Sequence, residues 1–192
     1  MITSVSTKQA TANYFANVGQ LDEAPSFIGT QSGVEVSGLA LQLIDGGSPE
    51  YTSGTYEFSQ GIDLGSIQNV RLTNRLGVSI FYVNDLVDSR VSNIDDWTDF
   101  DGSIVASADA KVYVRHTDDD PTYSIDSRFG DIDDWVDFDG GGSPTAVWTA
   151  WERLDSAEFQ ARAFQFYMAL ERESLDYNIQ VTELGINIDE IA

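Results

Sequence analysis

The chain of 192 residues has no cysteine, one histidine, four prolines and, among its ten basic residues, two lysines (Lys8 and Lys111). Each shortage removes a class of chemistry. Without cysteine there are no disulfides, thiol nucleophiles or Cys-based zinc sites, and thiol usage gives no clue to the redox compartment. Ten bases against 32 acids give a formal net charge of −22. That balance argues against nucleic acid as a partner, since phosphate binding calls for clustered Lys and Arg, and against docking on anionic membrane surfaces. Cations, neutral glycans and basic protein surfaces stay open. No apolar run reaches the roughly 18 residues expected of a bilayer span, and "MITSVSTKQATANYF" contains none of signal-peptide length. The expectation is a protein without membrane insertion or export signal.

What is present is enough to fold. A hydrophobic fraction of 42%, with 11% aromatics, exceeds what a disordered chain carries. The length suits one domain with extensions. Residues 1–32 are weakly patterned, end in "DEAPSFIGTQSG", and read as an extended N-terminal arm, a candidate docking segment. From residue 33 to 192 the apolar residues alternate with period two, the mark of half-buried strands.

In "VEVSGLALQLI" the phase changes at Ser37-Gly38, which predicts a bulge or bend. "SGTYEFS", "QNVRLTN" and "GVSIFYV" are short strand candidates. In "AKVYVRHT", Val112 and Val114 share one face, with Lys111, Tyr113 and Arg115 on the other. "RAFQFYMALE" alternates Phe164, Phe166, Met168 and Leu170 with Gln165, Tyr167 and Ala169; it contains good helix formers, but strict alternation with three aromatics favours a strand. In "NIQVTELGINID" the phase shifts between Val181 and Leu184, predicting a bulge near Thr182 to Gly185. Many short strands with Gly-rich turns imply an all-β fold, an antiparallel β-sandwich of jelly-roll-like type, with a barrel as the alternative.

Within this pattern "VDSRVSNIDDWTDFDG" (87–102) recurs without gaps as "IDSRFGDIDDWVDFDG" (125–140), sharing 11 of 16 residues. Two copies are too few for a solenoid, so this is an internal duplication within a domain. Residues 85–139 hold 16 of the 22 aspartates and no glutamate. Short carboxylates cap turn backbones, and they also furnish the alternating oxygens of calcium loops. Asp99 and Asp101 before Gly102, and Asp137 and Asp139 before Gly140, are therefore candidate Ca2+ ligands. The EF-hand's distal Glu and third acidic position are missing, and solvated turns that guard exposed hairpins are the competing reading. Trp97 and Trp135 sit beside those carboxylates. An indole face next to hydrogen-bonding oxygens suits a sugar ring, so Trp97, Asp99, Asp101, Trp135, Asp137 and Asp139 are the candidate ligand contacts. Anchoring of each hairpin to the sandwich is the alternative role for the two indoles. Trp148 and Trp151 read as core and rim packing.

Catalytic signals are weak. His116 precedes "TDDDP", where a carboxylate could orient it, but no nucleophile is marked. Paired carboxylates could hydrolyse glycosides, yet nothing singles out one among the 32 acids as a general acid. No phosphate-binding Gly-rich loop occurs. The expectation is a non-enzyme.

Four stretches, "GTYEFSQGIDLGSIQNVRLT" (54–73), "VYVRHTDDDP" (112–121), "SPTAVWTAWERL" (143–154) and "FQARAFQFYMALERESLDYNIQVTELGINID" (159–189), occur in this order. Together they resemble the C-terminal β-sandwich region of tailed-phage tail-tip proteins, the host-specificity J-like proteins and related tail-fibre proteins. The resemblance spans about residues 33–189. It implies a non-catalytic virion protein at the tail tip or a tail fibre, concerned with host attachment through a host-surface glycan or protein, and bound to other virion proteins. Fibre proteins that resemble it are often trimeric, which implies a homo-oligomer. The family runs from "TDDDP" nearly straight into the "SPT" strand, whereas here residues 122–142 intervene with the second acidic copy. J-like proteins are also much larger, so a separately encoded fibre or accessory subunit is the expectation, with residues 1–32 as its anchor. An architectural head-fibre, decoration or tail-assembly subunit is the alternative, and a polysaccharide depolymerase a more distant one.

Overall fold

A computed structural model describes residues 15–45, 51–83, 108–121 and 146–191. They form an antiparallel all-β fold, and no helix occurs among them. The strands are β1 (Phe15–Asp22), β2 (Thr30–Ser32), β3 (Val34–Ser37), β4 (Ala40–Leu43), β5 (Ser53–Glu57), β6 (Ile62–Tyr82), β7 (Ala108–Thr117), β8 (Glu152–Arg153), β9 (Ser156–Arg172) and β10 (Tyr177–Ile191).

The main path of hydrogen bonding runs β2-β5-β9-β6-β10-β4-β3, with β1 added to β10, β7 to β9 and β8 to the far side of β7. The sandwich is therefore one bent sheet, nearly closed like a barrel. Strand β9 makes the bend. Its residues 156–164 pair with β6, while residues 167–171 lie between β5 and β7. A single apolar core results, with Val112 and Val114 from β7, Phe164, Phe166, Met168 and Leu170 from β9, and Ile179, Val181, Leu184, Ile186 and Ile188 from β10. Each such large apolar side chain, at no more than 2% exposure, contributes about 1.5–3 kcal/mol relative to leaving it in water.

Several expectations hold in detail. The alternation of β7 and β9 puts the predicted residues inward, and the bulge in β10 falls between Val181 and Glu183, where the buried phase switches. Others change. The phase shift at Ser37-Gly38 is a two-residue hairpin turn between β3 and β4, pairing Ser37 with Ala40; Gly38 takes φ +64° there. "QNVRLTN" and "GVSIFYV" fuse into the single long β6.

The domain also begins before residue 33, because β1 pairs with β10 from Phe15 to Asp22 and β2 pairs with β5. Both are edge elements held mainly by backbone bonds, so they carry little of the alternation that reveals a strand. Between them, the carboxyl of Glu23 is buried and receives hydrogen bonds from the Tyr56 hydroxyl, from Ser59 N–H (3.0 Å) and from Ser59 Oγ (2.8 Å). The Tyr56 hydroxyl in turn accepts from Gly29 N–H at 2.8 Å, and Phe27 packs edge-on against the Tyr56 ring at 5.8 Å. Burial, then the Glu23 contact, push the Tyr56 phenol far above its ordinary pKa. At the other end, buried Arg172 donates to the carbonyls of Tyr51 (2.9 Å) and Tyr177 (2.7 Å) and closes the core.

Candidate functional site

The outward face of β7 and β9 is aromatic. Register places Tyr113 opposite Tyr167 and Arg115 opposite Gln165. The two tyrosine rings stack at 4.7 Å with 5° between their planes. The Arg115 Nε donates to Gln165 Oε1 at 2.8 Å. Alternation dictates this composition, since the same two strands send their aliphatic phase into the core.

Residues 146–154 bring two indoles to this face. The segment runs along the free side of β7: Thr117 Oγ1 donates to Val147 O (2.8 Å), Thr149 N–H to His116 O (3.0 Å) and Leu154 N–H to Val112 O (2.8 Å). Leu154, fully buried, pins its end. Trp148 and Trp151 are thereby half-exposed on the outer surface, which corrects the reading of Trp148 as core. Trp151 meets Tyr167 edge-on at 4.7 Å, and the Arg115 guanidinium carbon lies 4.6 Å from the Trp151 ring centre and 5.3 Å from that of Trp148. Their three-residue spacing carries no strand alternation, because little of the segment is strand.

An open groove of about 590 Å³ lies beside this cluster. Trp151, Tyr167, Arg115, Thr30, Ser32, Thr55 and Glu57 line it, and Glu57 stands directly across the β5–β9 pairing from Tyr167. The threonine and serine hydroxyls come from β2 and β5, which continue the sheet beyond β9 through the pairings Thr30 to Glu57 and Ser32 to Thr55. The volume lies within the roughly 300–1,000 Å³ of small-ligand sites. Desolvation, and secondarily the neighbouring Tyr113, raise the Tyr167 phenol above its ordinary pKa.

The candidate ligand contacts Trp97, Asp99, Asp101, Trp135, Asp137 and Asp139, and with them the candidate Ca2+ ligands, lie outside the described residues. Among the described residues no group of three His, Cys, Asp or Glu side chains converges to hold a metal. His116 packs against Phe159 (5.4 Å) and Phe164 (6.2 Å), and its Nε2 is 3.9 Å from Glu152. Two of the three carboxylates that follow it are engaged elsewhere: Asp119 accepts from Val147 N–H at 2.8 Å, and Asp120 pairs with Arg162 at 2.8 Å.

The signal for the groove was present in the outward phase. Two adjacent strands that expose Tyr113, Arg115, Gln165 and Tyr167 spend their solvent face on large, hydrogen-bonding groups. Strand pairing, which sequence alone does not give, turns that list into a surface. Compared with family models, curated proteins and solved structures, the chain matches none.

Proposed function

We propose that the chain is a non-catalytic, glycan-binding β-domain of a phage virion, carried on the tail tip or a tail fibre, that holds the particle to a host-surface saccharide. The single observation that carries the binding part is the groove lined together by Trp151, Tyr167 and Arg115 and by the hydroxyl-bearing Thr30, Ser32 and Thr55. Aromatic faces take the apolar side of a pyranose, and the hydroxyls and Glu57 take its polar edge. The virion assignment rests on the four sequence stretches that resemble tail-tip and tail-fibre proteins. A homo-oligomer, a trimer in the fibre case, and contacts with other virion proteins follow from that resemblance.

The duplicated acidic segments form a second proposed contact region, with Trp97 and Trp135 against sugar and Asp99, Asp101, Asp137 and Asp139 against sugar or Ca2+. The test is a glycan array probed with the purified chain. Binding that disappears in Trp151→Ala, with the far-ultraviolet circular dichroism unchanged, supports the groove. Binding that survives it but is lost when Trp97 and Trp135 are both replaced by alanine moves the site to the acidic segments.

The architectural alternative has one observation in its favour. Beyond Asn74, β6 pairs with β10 on one side and with no other strand among the described residues, and it exposes Val78, Ile80 and Phe81 there. Such an edge suits another virion protein. Placing the protein in an imaged particle decides between tail and capsid.

A further inference from the structure

We infer that the groove takes an anionic saccharide, one carrying a carboxylate, and that the Arg115 guanidinium receives that carboxylate. The inference rests on the glycan reading of the groove and adds the class of sugar.

The net charge of −22 opposes anionic ligands over the surface at large, so such a ligand needs a local exception to it. In a chain with 32 acids and ten bases, a guanidinium normally has a carboxylate beside it. Arg75, Lys111, Arg153, Arg162 and Arg172 each have one at 3.5 Å or less. Among the described residues Arg115 has none. Its one hydrogen bond there goes from Nε to the neutral Gln165 amide, and its two terminal nitrogens make none.

The surroundings explain how an unpaired cation is held. Two indole rings lie within 5.3 Å of the guanidinium carbon, and their faces attract a cation without neutralising it. Gln165 fixes the Nε end. The terminal N–H groups remain for a ligand, and a planar carboxylate matches their fork with two parallel hydrogen bonds. Glu57, beside Tyr167 in the groove lining, sets the other limit. It accepts hydrogen bonds from sugar hydroxyls but repels further negative charge, so a ligand with one carboxylate per sugar ring fits better than a phosphate monoester, which carries more charge. A carboxylate on a hexuronic acid and one on a nonulosonic acid have the same chemistry at Arg115; ring size and substituents distinguish them.

The experiment titrates the purified full-length chain by calorimetry with three matched sets: hexuronate-containing oligosaccharides, nonulosonate-capped oligosaccharides, and the carboxyl-reduced neutral form of each. The expected result is that one carboxylated set binds about tenfold to hundredfold tighter than its reduced form, as one charge-assisted contact gives. Arg115→Gln removes that preference and leaves the weak neutral binding; Arg115→Lys restores part of it. Equal affinity for carboxylated and reduced forms overturns the inference and leaves the glycan reading standing. A stronger preference for sulfated or phosphorylated controls also overturns it. Absence of binding to every glycan overturns the reading beneath it as well. Thermal melts of both variants within a few degrees of wild type confirm that the comparison is between folded proteins.

Discussion

Replacing Tyr56 by phenylalanine removes one oxygen from the interior and keeps the ring. The ring is fully buried and packs against Phe27 and Phe58, so the apolar contribution stays. Two polar groups lose their partner: the Glu23 oxygen that receives the phenol's hydrogen, and the Gly29 N–H that donates to it. Glu23 is 2% exposed, so water cannot substitute freely. A buried group left unsatisfied costs about 1–3 kcal/mol; because the Gly29 N–H is only partly buried, the two together fall in the lower half of the summed range, at about 3 kcal/mol. For a domain of this size each kcal/mol moves Tm by roughly 2–4 °C, giving a fall of about 6–12 °C. Denaturant unfolding with an unchanged m-value measures the energy, and amide exchange at Gly29, the residue before the groove's Thr30, reports the local loosening. A loss below about 0.5 kcal/mol, with Gly29 protected as before, would refute the view that this network ties the N-terminal loop to the barrel.

Two further outcomes follow from the structure, beside the glycan experiments above. Asp63 hydrogen-bonds to Arg162 (3.1 Å) and also accepts from Gly65 N–H, and the arginine above all holds its carboxyl below the ordinary 3.8. A depressed carboxylate stabilises the fold above its unfolded pKa and loses that contribution as pH falls through the lowered folded value; carboxyl NMR titration should show the midpoint rising in Arg162→Gln, and an unmoved midpoint removes the pair from the acid response. Gly38 has open space around its Cα but a φ of +64°, so Gly38→Ala should cost about 1–2 kcal/mol by conformation alone, read by chemical denaturation; a neutral result means the turn has another backbone geometry.

The parts of the fold legible in the sequence are those where one face meets the core and the other meets water. Val112 and Val114, or Phe164 to Leu170, declare their strands because burial sorts their alternate residues. The bulge in β10 was legible for the same reason: Ile179 and Val181 stand in one phase and Leu184, Ile186 and Ile188 in the other, and all five are buried. Strands β1, β2 and β8 were not legible, since they are short or peripheral and are held through backbone groups that every residue has. The turn at Gly38 and a bulge both break the phase in the same way, and only partner strands tell them apart. For the groove, the composition of its aromatic wall could be read from β7 and β9, but its convergence with β2 and β5 depends on contacts between positions far apart in sequence. Trp148 was misplaced because large aromatics default to the interior, whereas here the Arg115 guanidinium lies over its ring and the indole is left half-exposed.

The flanking of β9 by β5 on one edge and β7 on the other has a mechanical consequence. A tug on anything lodged against Tyr167 enters a strand gripped along both margins, so rungs on either side share the load instead of peeling one after another. A strand at the margin of the sheet, bonded on one side alone, would have fewer rungs to share that pull.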